Sequence, residues 1–181
     1  MAWQQAGVPL IEGLVDLRDS LEFLFPDSPA SRRPTGGMAI DTARGGTIAA
    51  QVLIHEAPRG SLRLRVTRRG RPVRGVRWFK LHDVPVEENT APVIFTESRK
   101  SGRNPHVIRR APFRVYDAME PVDGSIPSSV GPAVLLLQIP VPADSRPGQL
   151  KIDIGIGDGP VRHLSVHVHA PVIPPSGPAS F

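Results

Sequence analysis

Residues 148–169 read GQLKIDIGIGDGPVRHLSVHVH, and this stretch decides the fold. Leu150, Ile152, Ile154 and Ile156 alternate with Lys151, Asp153 and Gly155; after an interruption, Leu164, Val166 and Val168 alternate with His163, Ser165, His167 and His169. A period of two puts every second side chain on one face, so each arm is a strand with a dry and a wet side. The interruption, Gly157-Asp158-Gly159-Pro160, has tight-turn composition and makes the pair a β-hairpin. Just upstream, Pro142-Ala143-Asp144-Ser145-Arg146-Pro147-Gly148 is another turn. It follows Ala133 to Val141, an almost wholly apolar run that reads as a strand covered on both faces or at a sandwich centre.

The same grammar extends towards the N-terminus. Thr47 to His55 is β-branched and apolar, and Leu62, Leu64 and Val66 alternate with Arg63, Arg65 and Thr67 before a turn at Arg69-Gly70-Arg71-Pro72. Val73 to Val84 reads as a longer strand carrying Trp78, Phe79 and Leu81, with Trp78 in the core. Glu87 to Pro112 is irregular and polar, with residues 101–105 as its expected tip. One segment reads differently: Leu10, Leu14, Leu17, Leu21 and Leu24 are spaced like a helical face, and Asp19-Ser20 is placed to cap a short helix at Leu21. Pro26-Asp27-Ser28-Pro29 would end it, and Arg32 to Gly37 is loop. Strands at roughly ten-residue spacing without intervening helices predict an all-β, antiparallel β-sandwich, immunoglobulin-like or jelly-roll-like, with about seven to eight strands and at most one short helix. The expected organisation is an N-terminal tail at 1–13, the sandwich at 14–170, and a Pro-rich linker or tail at 171–181.

Composition narrows the function classes. With 181 residues, 40% hydrophobic and 22% charged, the chain can bury a core and is not disordered by composition. The absence of cysteine excludes a disulfide scaffold, a thiolate zinc site and a cysteine nucleophile. No apolar run approaches the ~20 residues that span a bilayer, and the first residues have neither the basic start nor the apolar centre of a secretory signal. A cytoplasmic location, without a membrane partner, is the default expectation. The formal charge is +5, yet Lys80, Lys100 and Lys151 are the only lysines, and the densest arginine run, Arg63 to Arg77, alternates with aliphatic residues like the wet face of a strand pair. One Tyr and two Trp supply few stacking platforms, so nucleic acid is not an expected partner.

The stronger catalytic signatures are absent: no Gly-rich phosphate loop, no nucleophile elbow and no HExxH pair. The carboxylate pairs Glu87-Glu88, Asp117 with Glu120, and Asp153 with Asp158 fall in turns or on wet faces, where solvation accounts for them. No catalytic residue and no cofactor are therefore predicted. The candidates for metal ligation are His163, His167 and His169, which share one face of the last strand. Imidazoles at i and i+2 are within reach of one zinc ion, whereas His163 lies ~13 Å from His167 by strand rise. The competing reading is the polar face of the strand opposite Leu164, Val166 and Val168. A sugar platform needs exposed aromatic rings, and only Trp3, Trp78 and Tyr116 qualify by type; Trp78 sits in an apolar strand and Trp3 near the terminus, so no carbohydrate-binding residue is assigned.

Several stretches taken in order resemble one family. Asp19-Ser20-Leu21-Glu22, continuing to Phe25-Pro26-Asp27, is similar to the opening "DSLE..FPD" of the N-terminal β-sandwich of glycoside hydrolase family 123-like proteins. Ala43-Arg44-Gly45 with Gln51-Val52-Leu53 resembles its "ARGE….QVVL" strand, although Gly46 stands in place of an acid and Ala50 in place of an aromatic residue. Val76-Arg77-Trp78-Phe79-Lys80 into Val84-Pro85-Val86 is similar to the next strand, and Tyr116-Asp117-Ala118-Met119-Glu120-Pro121 to the "Y.D.L.P" segment. Val141-Pro142-Ala143-Asp144 with Pro147-Gly148 resembles the closing hairpin. The likeness reaches roughly residues 14 to 170. It implies a two-part enzyme in which a (β/α)₈ barrel, following the sandwich, removes N-acetylgalactosamine by a substrate-assisted mechanism with an Asp–Glu pair of the barrel. The stretch Ala170 to Pro178 would be the interdomain linker, so the resemblance implies a non-enzymatic accessory module here. Its partners would be a catalytic barrel, in the same or a separate chain, and a glycan, with self-association through the surface the barrel would cover. The alternative is a free-standing carbohydrate- or protein-binding sandwich.

Overall fold

The run at 133–140 is the strand on which two layers meet. The computed structural model describes residues 15–30, 37–55, 60–89, 108–128 and 131–174. These form eleven strands, and among the described residues there is no helix: β1 (Val15–Asp19), β2 (Met38–Arg44), β3 (Thr47–Ile54), β4 (Gly60–Arg68), β5 (Arg71–Pro72), β6 (Arg77–Val86), β7 (Phe113–Val122), β8 (Ser125–Ser128), β9 (Ala133–Pro140), β10 (Gly148–Ile156) and β11 (Arg162–Val172). One sheet has the order β1-β3-β9-β6-β7; the other has β2-β11-β10-β4-β5, with β8 paired to β4. All pairings are antiparallel except that of β2 with β11. The chain changes sheet at most of its connections, which makes the architecture an all-β sandwich.

The layer between the sheets is aliphatic. Ile48 and Val52 of β3, Leu135, Leu137 and Ile139 of β9, and Trp78 of β6 face Leu62, Leu64 and Val66 of β4, Ile152 and Ile154 of β10, and Leu164, Val166 and Val168 of β11. Within the closing hairpin the expected pairing holds: Ile152 lies beside Leu164 and Leu150 beside Val166, so the two arms share a sheet and Leu135 and Leu137 come from across the layer. Because alternate residues of β9 point the other way, Val134 and Leu136 make a second apolar cluster on the outside of the first sheet with Leu53, Leu81, Tyr116 and Leu24. Leu24 belongs to the loop after β1, which folds back over that face. The Gln51 amide holds the loop down by donating to the carbonyls of Asp19 at 2.9 Å and Glu22 at 2.8 Å.

Some expectations need correction. No helix forms at Leu21. Residues 15–19 are an edge strand, Leu17 packs against the inner core, Leu24 is buried on the opposite side of the sheet, and Leu21 is 86% exposed. Leu17, Leu21 and Leu24, which mimic a helical face, serve different surfaces. Residues 73–76 are a crossover rather than strand, and β6 begins at Arg77, with Val73 still bonded to Val66 of the other sheet. Residues 101–105, the expected loop tip, lie outside the described residues, as do Leu10 and Leu14. The strand count exceeds the expected number because β1, β2, β7 and β8 carry little alternation.

Two turns show why glycine is needed where it stands. At the β4–β5 turn Arg69 and Gly70 both have positive φ, 50° and 74°, as a two-residue hairpin connection requires. Gly45, at φ 76°, links β2 to β3, and a Cβ there would stand 2.4 Å from the Ile173 carbonyl oxygen, whereas one on Gly70 would meet nothing within 4 Å.

Gly70→Ala is therefore expected to cost about 1–2 kcal/mol, the left-handed penalty alone, and Gly45→Ala clearly more, because a backbone atom must also move. Ile152→Ala, at a site 3% exposed, is expected to cost about 2–5 kcal/mol. Denaturant unfolding measures all three; equal losses for the two glycine variants would contradict the close approach to Ile173.

Candidate functional site

The last strand pairs with different partners along its two edges, and these divide the histidine stripe. His163 lies opposite Asp153 of β10, and its Nδ1 is 2.8 Å from the carboxylate. His167 lies opposite Asp41 of β2, with Gln149 of β10 opposite it on the other edge. The Nε2 of His169 is 2.9 Å from Asp41 Oδ1, and the Nδ1 of His167 is 3.8 Å from the same oxygen. The two rings are stacked, with centroids 4.4 Å apart and an interplanar angle of 15°. The structure thus brings His167 and His169 together and separates His163 from them. The third donor is Asp41, which sequence reasoning missed. It lies 128 residues from His169 and is delivered by the parallel pairing of β2 with β11.

A second feature lies between the sheets, where the β4–β5 turn and the β9–β10 connection leave a groove of about 650 Å³. Its floor is apolar, from Ile48, Ile139, Val141, Leu150 and Ile152, and its rim carries Arg68, Arg69, Arg71 and Arg74. Each of these arginines lacks a carboxylate partner among the described residues. The wet-face reading of the arginine run holds for Arg63 and Arg65, which are exposed between the buried Leu62, Leu64 and Val66. It is incomplete for the four that surround an apolar hollow.

The third feature is the covered outer face of the first sheet. Arg109 makes a two-pronged ion pair with Asp27 at 2.6 and 2.7 Å while its guanidinium lies 4.7 Å over the Phe25 ring, and Phe25 meets Phe113 edge-on at 5.7 Å. The hydrogen bonds from Arg109 hold the Asp27 carboxyl below its usual range, and the one from Arg114 Nε does the same for the Asp83 carboxyl. Tyr116, whose backbone N–H donates to the Leu24 carbonyl at 2.9 Å, is half-buried; burial first, and the Asp83 carboxylate second, push its phenol up. Trp78 is buried in the inner core, so it offers no sugar platform, and Trp3 lies outside the described residues.

No protein-family model matches the sequence, and no curated protein does. Among solved structures, the chain is similar to a family 123 glycoside hydrolase from Clostridium perfringens studied for glycolipid glycan hydrolysis, with a TM-score of 0.51 and 10% identity over 88% of this chain. It spans 28% of that chain's length. At this identity the likeness shows a shared fold.

Tyr116 is the single tyrosine, so its ionisation can be read without overlap. In ultraviolet titration its midpoint is expected above the ordinary value of about 10, and Asp83→Asn should bring it part of the way back. Because the folded-state value is the raised one, Tyr116 favours the folded state at neutral pH and loses that contribution as pH rises through its own midpoint. A midpoint at the ordinary value would mean that the loop over the outer face opens freely.

Proposed function

We propose that this chain is a non-catalytic accessory β-sandwich of a glycoside hydrolase-like protein, one that packs against a catalytic barrel and shapes the edge of its active site. The observation that carries the reading is the extent of the structural likeness, which takes in most of this chain and a minor part of the hydrolase. The site chemistry supports it. A general acid needs a carboxyl group pushed upwards by desolvation or a like charge, whereas Asp27 and Asp83 are held low by arginines. Other described carboxylates serve as histidine partners: Asp16 for His55, Glu120 for His82 and Asp153 for His163.

An accessory module also needs apolar surface to dock with. Ile108 is 70% exposed, and Val172 and Ile173, at the end of β11 where the Pro-rich segment begins, are 45% and 49% exposed. Phe113 is engaged by Phe25 and adds nothing to that surface. The second reading, a free-standing binding sandwich, is favoured by one observation, the arginine-rimmed groove, which suits a ligand with an apolar body and an anionic group.

The purified chain is expected to hydrolyse aryl N-acetylgalactosaminides no faster than buffer. It is expected to self-associate in sedimentation velocity at high concentration, and the double variant Val172→Glu, Ile173→Glu should weaken that association. Turnover abolished by a point mutation in this chain would overturn the non-catalytic reading. A clean monomer at all concentrations would favour the free-standing binding domain.

A further inference from the structure

We propose that Asp41, His167 and His169 form a surface site for a divalent transition cation, zinc foremost, that ties the edge strand β2 to β11. Their donor atoms all lie within 4.8 Å of one another. A tetrahedral ion with bonds of about 2.0–2.2 Å needs donors roughly 3.3–3.6 Å apart. The separations to Asp41 Oδ1, 2.9 Å from His169 and 3.8 Å from His167, bracket that span, and the two imidazole nitrogens lie within 4.8 Å of each other; to bind one ion the rings turn out of their stacked arrangement so that both nitrogens aim at it.

The donor set sets the chemistry. Two imidazoles and one carboxylate suit zinc, copper, nickel or cobalt, whereas magnesium and calcium take oxygen ligands. All three residues are exposed, so a fourth position stays open to water, and Gln149, opposite His167, stands where its amide can reach the same side.

The comparison with the other histidines makes the cluster distinctive. Among the described residues, His82 and His163 each pair with one carboxylate, at 2.6 and 2.8 Å, while the Asp16 oxygen that lies 2.9 Å from His55 also lies 3.5 Å from the Arg18 guanidinium. An isolated pair of that kind is explained by the hydrogen bond alone. At Asp41 two stacked rings share one oxygen, and only His169 is within hydrogen-bonding distance. The His167 nitrogen faces an acceptor already used by its neighbour. A cation between the three atoms satisfies both rings and the carboxylate together.

The location gives the site a use. Among the described residues, β2 lies at the edge of its sheet with β11 as its single neighbour, in the one parallel pairing. An ion held by one ligand from β2 and two from β11 would cross-link that edge, and binding to the folded state alone raises stability by mass action.

The experiment is calorimetric titration of tag-free chain with zinc chloride in a non-chelating buffer, paired with thermal melts with and without zinc. The expected result is one zinc per chain and a higher melting temperature. His167→Gln and Asp41→Ala should each weaken binding roughly tenfold or more and abolish the zinc-dependent rise, while His163→Gln leaves both unchanged. Melts without zinc check that each variant is folded. No saturable binding by folded wild-type chain, or equal loss in His163→Gln, would overturn the proposal.

Discussion

The central strand of the first sheet is apolar on both faces, and that constraint organises the molecule. Leu135, Leu137 and Ile139 are at most 2% exposed on one side, and Val134 is fully buried on the other. Each large aliphatic side chain removed from water contributes about 1.5–3 kcal/mol, so neither face can be left wet. The inner face is met by β4, β10 and β11 of the second sheet. Among the described residues no third sheet meets the outer face, and the loop after β1 covers it by inserting Leu24. The Gln51 hydrogen bonds, the Tyr116–Leu24 backbone bond and the Arg109 contacts to Asp27 and Phe25 all serve to hold that cover. Strands with a polar outer side need no such cover, and β11 accordingly carries its histidines in solvent.

How far the fold can be read from sequence depends on how many of a strand's faces are buried. β10 and β11 each bury one side, so alternation is strong. β9 buries both and appears as an apolar run interrupted at Gln138. β7 is an edge strand, mostly exposed from Asp117 to Pro121, so its sequence has almost no pattern to read. β1 misleads because Val15 and Leu17 face the inner core while Leu24, beyond a turn, crosses to the outer side. A one-dimensional pattern cannot distinguish one face of a helix from two faces of a sheet. The imidazole stripe is legible for the same reason as its strand, by period two. Asp41 is not legible, because parallel pairing across most of the chain leaves no local trace.

The arginines show a second limit of pattern reading. In β4, Arg63 and Arg65 are the solvent side of an alternating strand. Across the turn the same residue type takes another role. Arg69 adopts a left-handed backbone that is costly for any residue but glycine, and that turn helps set the arginine rim over an apolar floor. A rim without ion-pair partners among the described residues keeps its charge available, and the hollow below it is lined by side chains that also form the core. On the free-standing reading proposed above, an anionic ligand would be read there by charge at the rim and by shape beneath.

The two outer faces of the sandwich thus differ in kind. The first sheet hides its outer side under its own chain, leaving Phe23 and Met119 each 60% exposed around the cover. The second sheet presents Asp153, His163, His167, His169 and Asp41 in a polar stripe. Apolar surface favours docking of a folded partner, since desolvation rewards large contact areas without demanding matched charges. A polar stripe offers no such gain and favours small, strongly coordinating ligands. On the second sheet, β2 pairs with β11 alone among the described residues, through a parallel ladder. The turn at Gly45 and Gly46 already binds its end, through hydrogen bonds with Val141 and the close Ile173 carbonyl. The middle of β2 lies alongside Val166 and His167, and Asp41 is the one charged side chain it presents there. Anything that grips Asp41 and the two rings at once fixes the strand at its middle as the glycine turn fixes it at its end.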